Sequence, residues 1–144
     1  MTCCFFGHRD TPSYIADQLL PLLCRLVEER KIDLFLVGNE GAFDRMAASA
    51  LAELKKEHPS VRCYTVLAYM PKAQSKPLAL KTIYPECLEC VPKRFAIDRR
   101  NRWMIKQSDM VICYVRTSIS NSARYVETAK NDGKTVLNLA EDAK

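Results

Sequence analysis

The chain has no long apolar run. The longest uninterrupted stretch is Met110 to Val115, far short of the roughly 20 residues that a membrane-spanning helix requires, so a transmembrane helix is excluded and no membrane partner is expected. Its start, Met1-Thr2-Cys3-Cys4-Phe5-Phe6, lacks a basic leader and reaches Gly7-His8-Arg9-Asp10 before the apolar core of a signal peptide could form. A cytoplasmic location is expected. Glycine is scarce, 4 in 144 residues, and neither a GxGxxG fingerprint nor a Walker A loop can be drawn from them. No excess of one charge dominates: 22 Lys+Arg stand against 17 Asp+Glu for a net charge of +5. With 48% hydrophobic and 27% charged residues the composition excludes wholesale disorder, collagen-like repeats and coiled coil. Repeats, low-complexity tracts and linkers are missing too, so residues 1–144 read as a single domain.

What the chain does have is cysteine, 7 in all. An odd number without a secretion signal argues for reduced thiols rather than a disulfide framework. Cys3, Cys4, Cys63 and Cys113 lie in strand-like runs and Cys24 in a helical pattern, where a thiol acts as a small hydrophobe. Cys87 and Cys90 have zinc-ligand spacing, but no second pair follows to close a four-ligand site, and Pro85 and Pro92 argue against a redox motif opening a helix. No metal and no cofactor are implied.

Cys3 to Phe6, Leu34 to Val37, Val61 to Leu67, Met110 to Val115 and Val136 to Leu139 are short β-rich runs. Amphipathic patterns separate most of them. Buried strands alternating with helices need crossover connections, which predict a three-layer α/β, Rossmann-like domain with a mainly parallel sheet of about five strands. Thr11 followed by Pro12 opens the first helical pattern, Pro21 is expected to kink it, Asp44 to Glu57 forms the second, Phe95 to Gln107 the third and Ala123 to Asn131 the fourth. Between Ala68 and Lys93 four prolines interrupt every period. A loop of that length suggests a lid or a partner-binding arm.

Ligands of open parallel sheets bind beyond the carboxyl ends of the strands. That rule nominates Gly7-His8-Arg9-Asp10, Gly38-Asn39-Glu40-Gly41, the long loop, and Arg116 to Ser122. Gly7, Gly38 and Gly41 either let backbone N–H groups approach a phosphate or simply make tight turns. His8 is a base, a phosphate contact or a turn residue. Asp44, in the first turn of its helix, either satisfies free N–H groups or meets a ribose hydroxyl. The excess positive charge lies between Lys93 and Lys106, where Lys93, Arg94, Arg99, Arg100, Arg102 and Lys106 face the single acid Asp98; the rest of the chain balances. Such a cluster fits an anionic ligand or a solvated helix face. At about 100° per residue Arg99, Arg102 and Lys106 share the outer side, opposite Ile97, Met104 and Ile105. Arg100 and Asn101 fall at the apolar stripe, where polar groups need partners. Trp103 and Tyr125 are most simply core.

These residues carry a resemblance. Gly7-His8-Arg9, Gly38-Asn39-Glu40-Gly41-Ala42-Phe43-Asp44, and Lys93-Arg94-Phe95 through Arg100-Asn101-Arg102-Trp103-Met104 into Ser108-Asp109 resemble the SLOG superfamily, and within it the small YpsA-like proteins. The similarity extends to Gly133-Lys134 and Asn138-Leu139-Ala140. It implies a Rossmann-like fold and a nucleotide or nucleotide-derived ligand, of ADP-ribose type for example, held by Gly7, His8, Arg9, Gly38, Gly41, Asp44, Arg100, Asn101, Ser120 and Asn121. The superfamily includes the LOG phosphoribohydrolases, which cleave the N-glycosidic bond of nucleoside monophosphates, and DprA, which binds single-stranded DNA.

By similarity to the LOG enzymes, Arg100 and Glu127 are the candidate catalytic pair. An arginine can hold the phosphate or ribose while a carboxylate stabilises a developing oxocarbenium ion. Where those relatives carry Gly-Gly, however, this chain has Ser120-Asn121, and a cradle that needs positive φ is harder to form there. Binding without catalysis is the first expectation. The alternatives are N-glycoside hydrolysis through Arg100 and Glu127, and single-stranded nucleic-acid binding through Arg99, Arg102 and Lys106. A homo-oligomer is compatible with any of these.

Overall fold

A computed structural model describes residues 1–72 and 76–142. Six strands form one sheet: β1 (Thr2–Gly7), β2 (Leu34–Val37), β3 (Arg62–Val66), β4 (Lys81–Ile83), β5 (Met110–Tyr114) and β6 (Thr135–Asn138). They are ordered β4-β3-β2-β1-β5-β6. Every neighbouring pair is parallel, with Cys3 opposite both Phe35 and Met110. Helices α1 (Ala16–Arg30), α2 (Ala42–Glu57), α3 (Lys93–Gln107), α4 (Asn121–Asn131) and the short α5 (Leu139–Asp142) connect or follow the strands. The strand missing from the sequence reading is β4, in the segment read as aperiodic. With only Lys81, Thr82 and Ile83 at a sheet edge and none of them buried, β4 has no hydrophobic pattern to betray it; backbone pairing to Tyr64, Thr65 and Val66 makes it a strand. The remainder of that segment includes the 3₁₀ turn Glu86–Leu88, while residues 73–75 of the expected lid lie outside the described residues.

The alternation of side chains along each strand divides the core in two. Cys3, Phe5, Phe35, Val37, Cys63 and Ile112 point to the face covered by α1 and α2. Cys4, Phe6, Leu36, Val66, Val111 and Cys113 point to the other, where Met104 and Ile105 of α3 and Tyr125, Val126 and Ala129 of α4 close over them. Burial pushes the Cys4 thiol up to about 12 and the Cys63 thiol to about 11, so both stay protonated and act as packing groups. No helix among the described residues is long and apolar enough to cross a membrane.

The first helix begins differently from expectation. Thr11 does not cap it; its hydroxyl donates to the His8 carbonyl at 2.6 Å, and a 3₁₀ turn, Ser13–Ile15, precedes α1. Pro21 sits on the exposed side of a helix that continues through it. At this carboxyl edge of the sheet the chain is packed too closely for side chains. A Cβ on Gly7 would meet the ring and Cβ of Phe43, whose side chain is fully buried against Phe5. Gly7→Ala is therefore expected to lower unfolding stability by about 2 kcal/mol through overpacking, measured by urea denaturation, with an unchanged slope if the fold is otherwise kept.

Candidate functional site

The parallel strands all end at one edge, and the order reverses between β1 and β5, where successive connections leave on opposite faces. A cavity of about 670 Å³ opens there, within the range of small-molecule sites. Gly7, His8, Arg9 and Asp10 line it from the end of β1. Gly38, Glu40, Gly41 and Asp44 come from the β2 loop and the first turn of α2, Ser120 from the cap of α4, and Asn121, Ser122, Arg124 and Tyr125 from α4 itself. The face of α3 contributes Arg94, Phe95, Asp98, Arg100, Asn101 and Arg102 among others. All ten residues expected to contact a ligand thus line one cavity. Glu127 does not. It is exposed on α4 and outside the lining residues, so the expected pairing of Arg100 with Glu127 is corrected: α4 turns Tyr125 inward, against Phe6 and Asp98.

Arg100 is the most deeply placed of these groups, 1% exposed. Its Nε donates to Asn101 Oδ1 at 2.7 Å, and one terminal nitrogen donates to the Val66 carbonyl at 3.0 Å and to Asn39 Oδ1 at 3.3 Å. The other terminal nitrogen pairs with Glu40 at 3.5 Å. Burial lowers the guanidinium from its ordinary value, opposed by the charges of Glu40 and Asp44, and an arginine remains charged under such a shift. Asp44 is the complementary case. Desolvation raises its carboxyl above the usual range, against the N–H of Glu40, which donates to it at 2.9 Å, and the charge of Arg100. The side chain of Arg100 therefore ties the ends of β2 and β3 to α3 and forms the floor of the cavity.

The glycines serve this arrangement by admitting neighbours. A Cβ on Gly38 would lie 3.0 Å from Asp44 Oδ2 and 3.1 Å from Arg100 Cζ, and one on Gly41 2.7 Å from Arg9 Cα. None of the three has the positive φ expected of a phosphate turn; among the described residues that region holds only Lys31 and Gly133. The turn before α4 needs no such conformation either. Ser120 is extended, with its hydroxyl accepting from the Ala123 N–H at 3.1 Å as a helix cap, and Ser122 donates to the Gly7 carbonyl at 2.9 Å. Ser-Asn in place of Gly-Gly thus gives a capped helix end rather than a strained cradle.

His8 bridges the reversal point. Its Nε2 accepts from the Arg116 N–H at 2.9 Å and its ring meets Tyr114 edge-on at 5.9 Å, so the imidazole is held neutral with its proton on Nδ1. Burial, then the charge of Arg116, lowers its pKa. Asn101, 8% exposed, orients Arg100. Tyr125, read from the sequence as core, is buried as expected, but neither its hydroxyl nor Asp98 was assigned to the site. The Tyr125 hydroxyl donates to Asp98 at 2.8 Å, and Asp98 also accepts from Arg102 at 3.0 Å; the signal was that Asp98 is the one acid in a basic helix. Arg99 and Lys106 are exposed as helical spacing implied, whereas Arg102 reaches the cavity rim. Cys87 and Cys90 are exposed thiols away from the cavity.

No family model matches the chain, and no curated protein matches it. The fold does match solved structures. It superposes on DNA processing protein A (DprA) from Streptococcus pneumoniae with a TM-score of 0.67 and 17% identity, over 95% of this chain and 49% of that one. DprA from Helicobacter pylori, described for its single-stranded DNA binding mode, gives a TM-score of 0.66 and 17% identity over 96% of this chain and 64% of that chain. The chain thus spans about half of the first protein and under two thirds of the second. At this identity the likeness shows the fold alone: a Rossmann-like α/β domain with a parallel sheet.

Two outcomes follow from the geometry. Arg100→Ala leaves the Val66 carbonyl and the Glu40 and Asp44 carboxylates without their cation, and is expected to cost about 3 kcal/mol of stability, read from denaturant unfolding. His8 has a lowered folded pKa, so the unfolded chain takes up the proton first; its contribution is complete above about pH 6.5 and diminishes as pH falls below that value. His8→Gln, which keeps an acceptor but does not titrate, should flatten the fall in melting temperature between about pH 7 and pH 5.5.

Proposed function

We propose that the chain binds a nucleotide or nucleotide-derived ligand in this cavity and does not turn it over. The observation that carries the reading is the convergence of a helix N-terminus with a set of arginines at the reversal point of a parallel sheet. The first turn of α4 faces the cavity, with Arg124 on that helix and Arg94 and Arg102 across from it on α3. Free N–H groups and the helix dipole favour a phosphate at such a place. Phe95, half exposed on the same wall with the Arg94 guanidinium 4.8 Å from its ring centre, offers a face for a base. Asp44 keeps one carboxylate oxygen beyond its bond to Glu40 for a ribose hydroxyl. Arg9, His8, Gly7, Gly38, Gly41, Asn101, Ser120 and Asn121 complete the wall. Hydrolysis of a nucleoside monophosphate calls for a carboxylate free to act at the anomeric carbon. Glu127 is not at the cavity, and the carboxyl groups that are, Asp10, Glu40, Asp44 and Asp98, are engaged in turn by Arg116, by Arg100, by the Glu40 N–H, and by Tyr125 with Arg102.

Binding of a single-stranded nucleic acid is the second reading. Tyr69 and Phe95 are exposed beside the start of α3, the Tyr69 hydroxyl donating to the Lys93 carbonyl at 3.0 Å, next to Arg94, with the cations Arg99, Arg102 and Lys106 following along the helix. Aromatic faces among cations suit unpaired bases, and the Helicobacter pylori neighbour is described as binding single-stranded DNA.

Thermal-shift and calorimetric titration with adenosine monophosphate, ADP-ribose and adenosine separate the readings. The phosphorylated ligands should raise the melting temperature and adenosine should do so far less; Arg124→Ala and Phe95→Ala should each weaken binding about tenfold, the loss of one charged hydrogen bond or one stacking contact. No shift with any nucleotide, together with oligonucleotide affinity that falls steeply with salt, would replace the first reading by the second. Release of free base by the unmodified protein would refute the absence of turnover.

A further inference from the structure

Cys24, Glu57 and His58 belong neither to the cavity nor to the central core. Cys24 is half-buried midway along α1; Glu57 closes α2, and His58 follows it, its N–H donating to the Leu54 carbonyl at 2.8 Å. Both helices run from the cavity edge of the parallel sheet to the opposite one, so the end of α2 lies remote from the ligand site. There Cys24 Sγ is 3.6 Å from Glu57 Oε2, although the two residues are 33 apart in the chain. One ligand atom from each of the three residues lies within 4.8 Å of the others. Glu28, one helical turn beyond Cys24, adds its charge at the thiol.

We propose that Cys24, Glu57 and His58, with Glu28 or a water molecule as fourth ligand, bind a divalent transition-metal cation, zinc above all, as a clamp between α1 and α2. The spacing fits the chemistry. Zinc holds thiolate sulfur at about 2.3 Å and carboxylate oxygen at about 2.0 Å with tetrahedral angles, which sets the two ligand atoms about 3.5 Å apart. The observed sulfur–oxygen separation already meets this, and the imidazole closes the set by a side-chain movement of about 1 Å. A thiol hydrogen-bonded to a carboxylate accounts for the first two groups alone; the metal reading also uses the imidazole that the next residue brings to the same helix end. Thiolate with imidazole selects zinc, cobalt or copper over magnesium and calcium, which take oxygen ligands. On binding, the Cys24 S–H bond breaks, its proton passes to solvent, and the sulfur electron pair forms the bond to the metal. The position at the end of the sheet away from the cavity gives the ion a structural role.

The test uses the whole chain, freed of metal with a chelator and titrated with cobalt(II), then zinc. A stoichiometric site should show tetrahedral cobalt bands in the visible and a thiolate-to-cobalt charge-transfer band in the near ultraviolet, both lost when zinc displaces cobalt. Cys24→Ser should abolish the charge-transfer band and His58→Ala should weaken zinc affinity at least tenfold, while the double variant Cys87→Ser with Cys90→Ser retains both signals. Zinc should also raise the melting temperature of the unmodified chain but not of Cys24→Ser. A charge-transfer band that is missing, that survives Cys24→Ser, or that disappears with Cys87 and Cys90 overturns the proposal. Circular dichroism of each variant shows whether a lost signal comes from the site or from the fold.

Discussion

A guanidinium almost completely removed from water holds the carboxyl edge of this domain together. Arg100 reaches from α3 across the sheet ends to the Val66 carbonyl, Asn39, Asn101 and Glu40, so three separate stretches of chain meet on one planar group. Burying a cation is costly unless its donors are matched, and the matching explains its surroundings. Gly38 has no side chain because Asp44 and Arg100 occupy that space, and Asp44 remains beside the guanidinium despite a carboxyl raised by desolvation. The floor of the cavity is thus a buried network of hydrogen bonds and one ion pair.

The rim differs in kind from the floor. Arg9 is largely exposed and its approach to Glu40 is 3.9 Å, an ion pair too open to water to contribute much. Arg94, Arg102 and Arg124 are likewise exposed at the rim. Arg94 and Arg124 remain available to an incoming anion, as do the nitrogens that Arg102 does not give to Asp98, whereas Arg100 has given most of its donors to the protein. This division between an engaged interior arginine and accessible outer ones suits a binding pocket. The same outer cations, with Tyr69 and Phe95 beside them, serve equally in the nucleic-acid reading.

The sheet edge also shows how one local feature acquires two uses. Ser120 ends the turn after β5 as an ordinary helix cap, and it also lines the cavity together with the first turn of α4. His8 accepts from the backbone of Arg116 and thereby joins the ends of β1 and β5 at the crevice. Its imidazole is engaged as an acceptor, which makes it a structural latch at the same place where sequence reasoning considered a base.

Periodicity alone determined the class of the fold. Runs such as Met110 to Val115 and the apolar faces of α2 and α4 admit little besides a covered parallel sheet, because strands hydrophobic on both sides must be buried on both. The segments that surround the cavity were legible from the same logic, since ligands lie beyond the carboxyl ends of such strands. What a linear reading could not supply was contact between distant residues. β4 exists through pairing with β3, not through its own composition; Glu127 and Tyr125 are two positions apart on one helix, yet only the packing of α4 against Phe6 decides which faces inward. The same holds for Cys24 and Glu57, brought within 3.6 Å by the packing of α1 on α2. Hydrophobic pattern is a local property of the chain, whereas the direction in which a polar side chain finds its partner is set by which elements the shared core forces together.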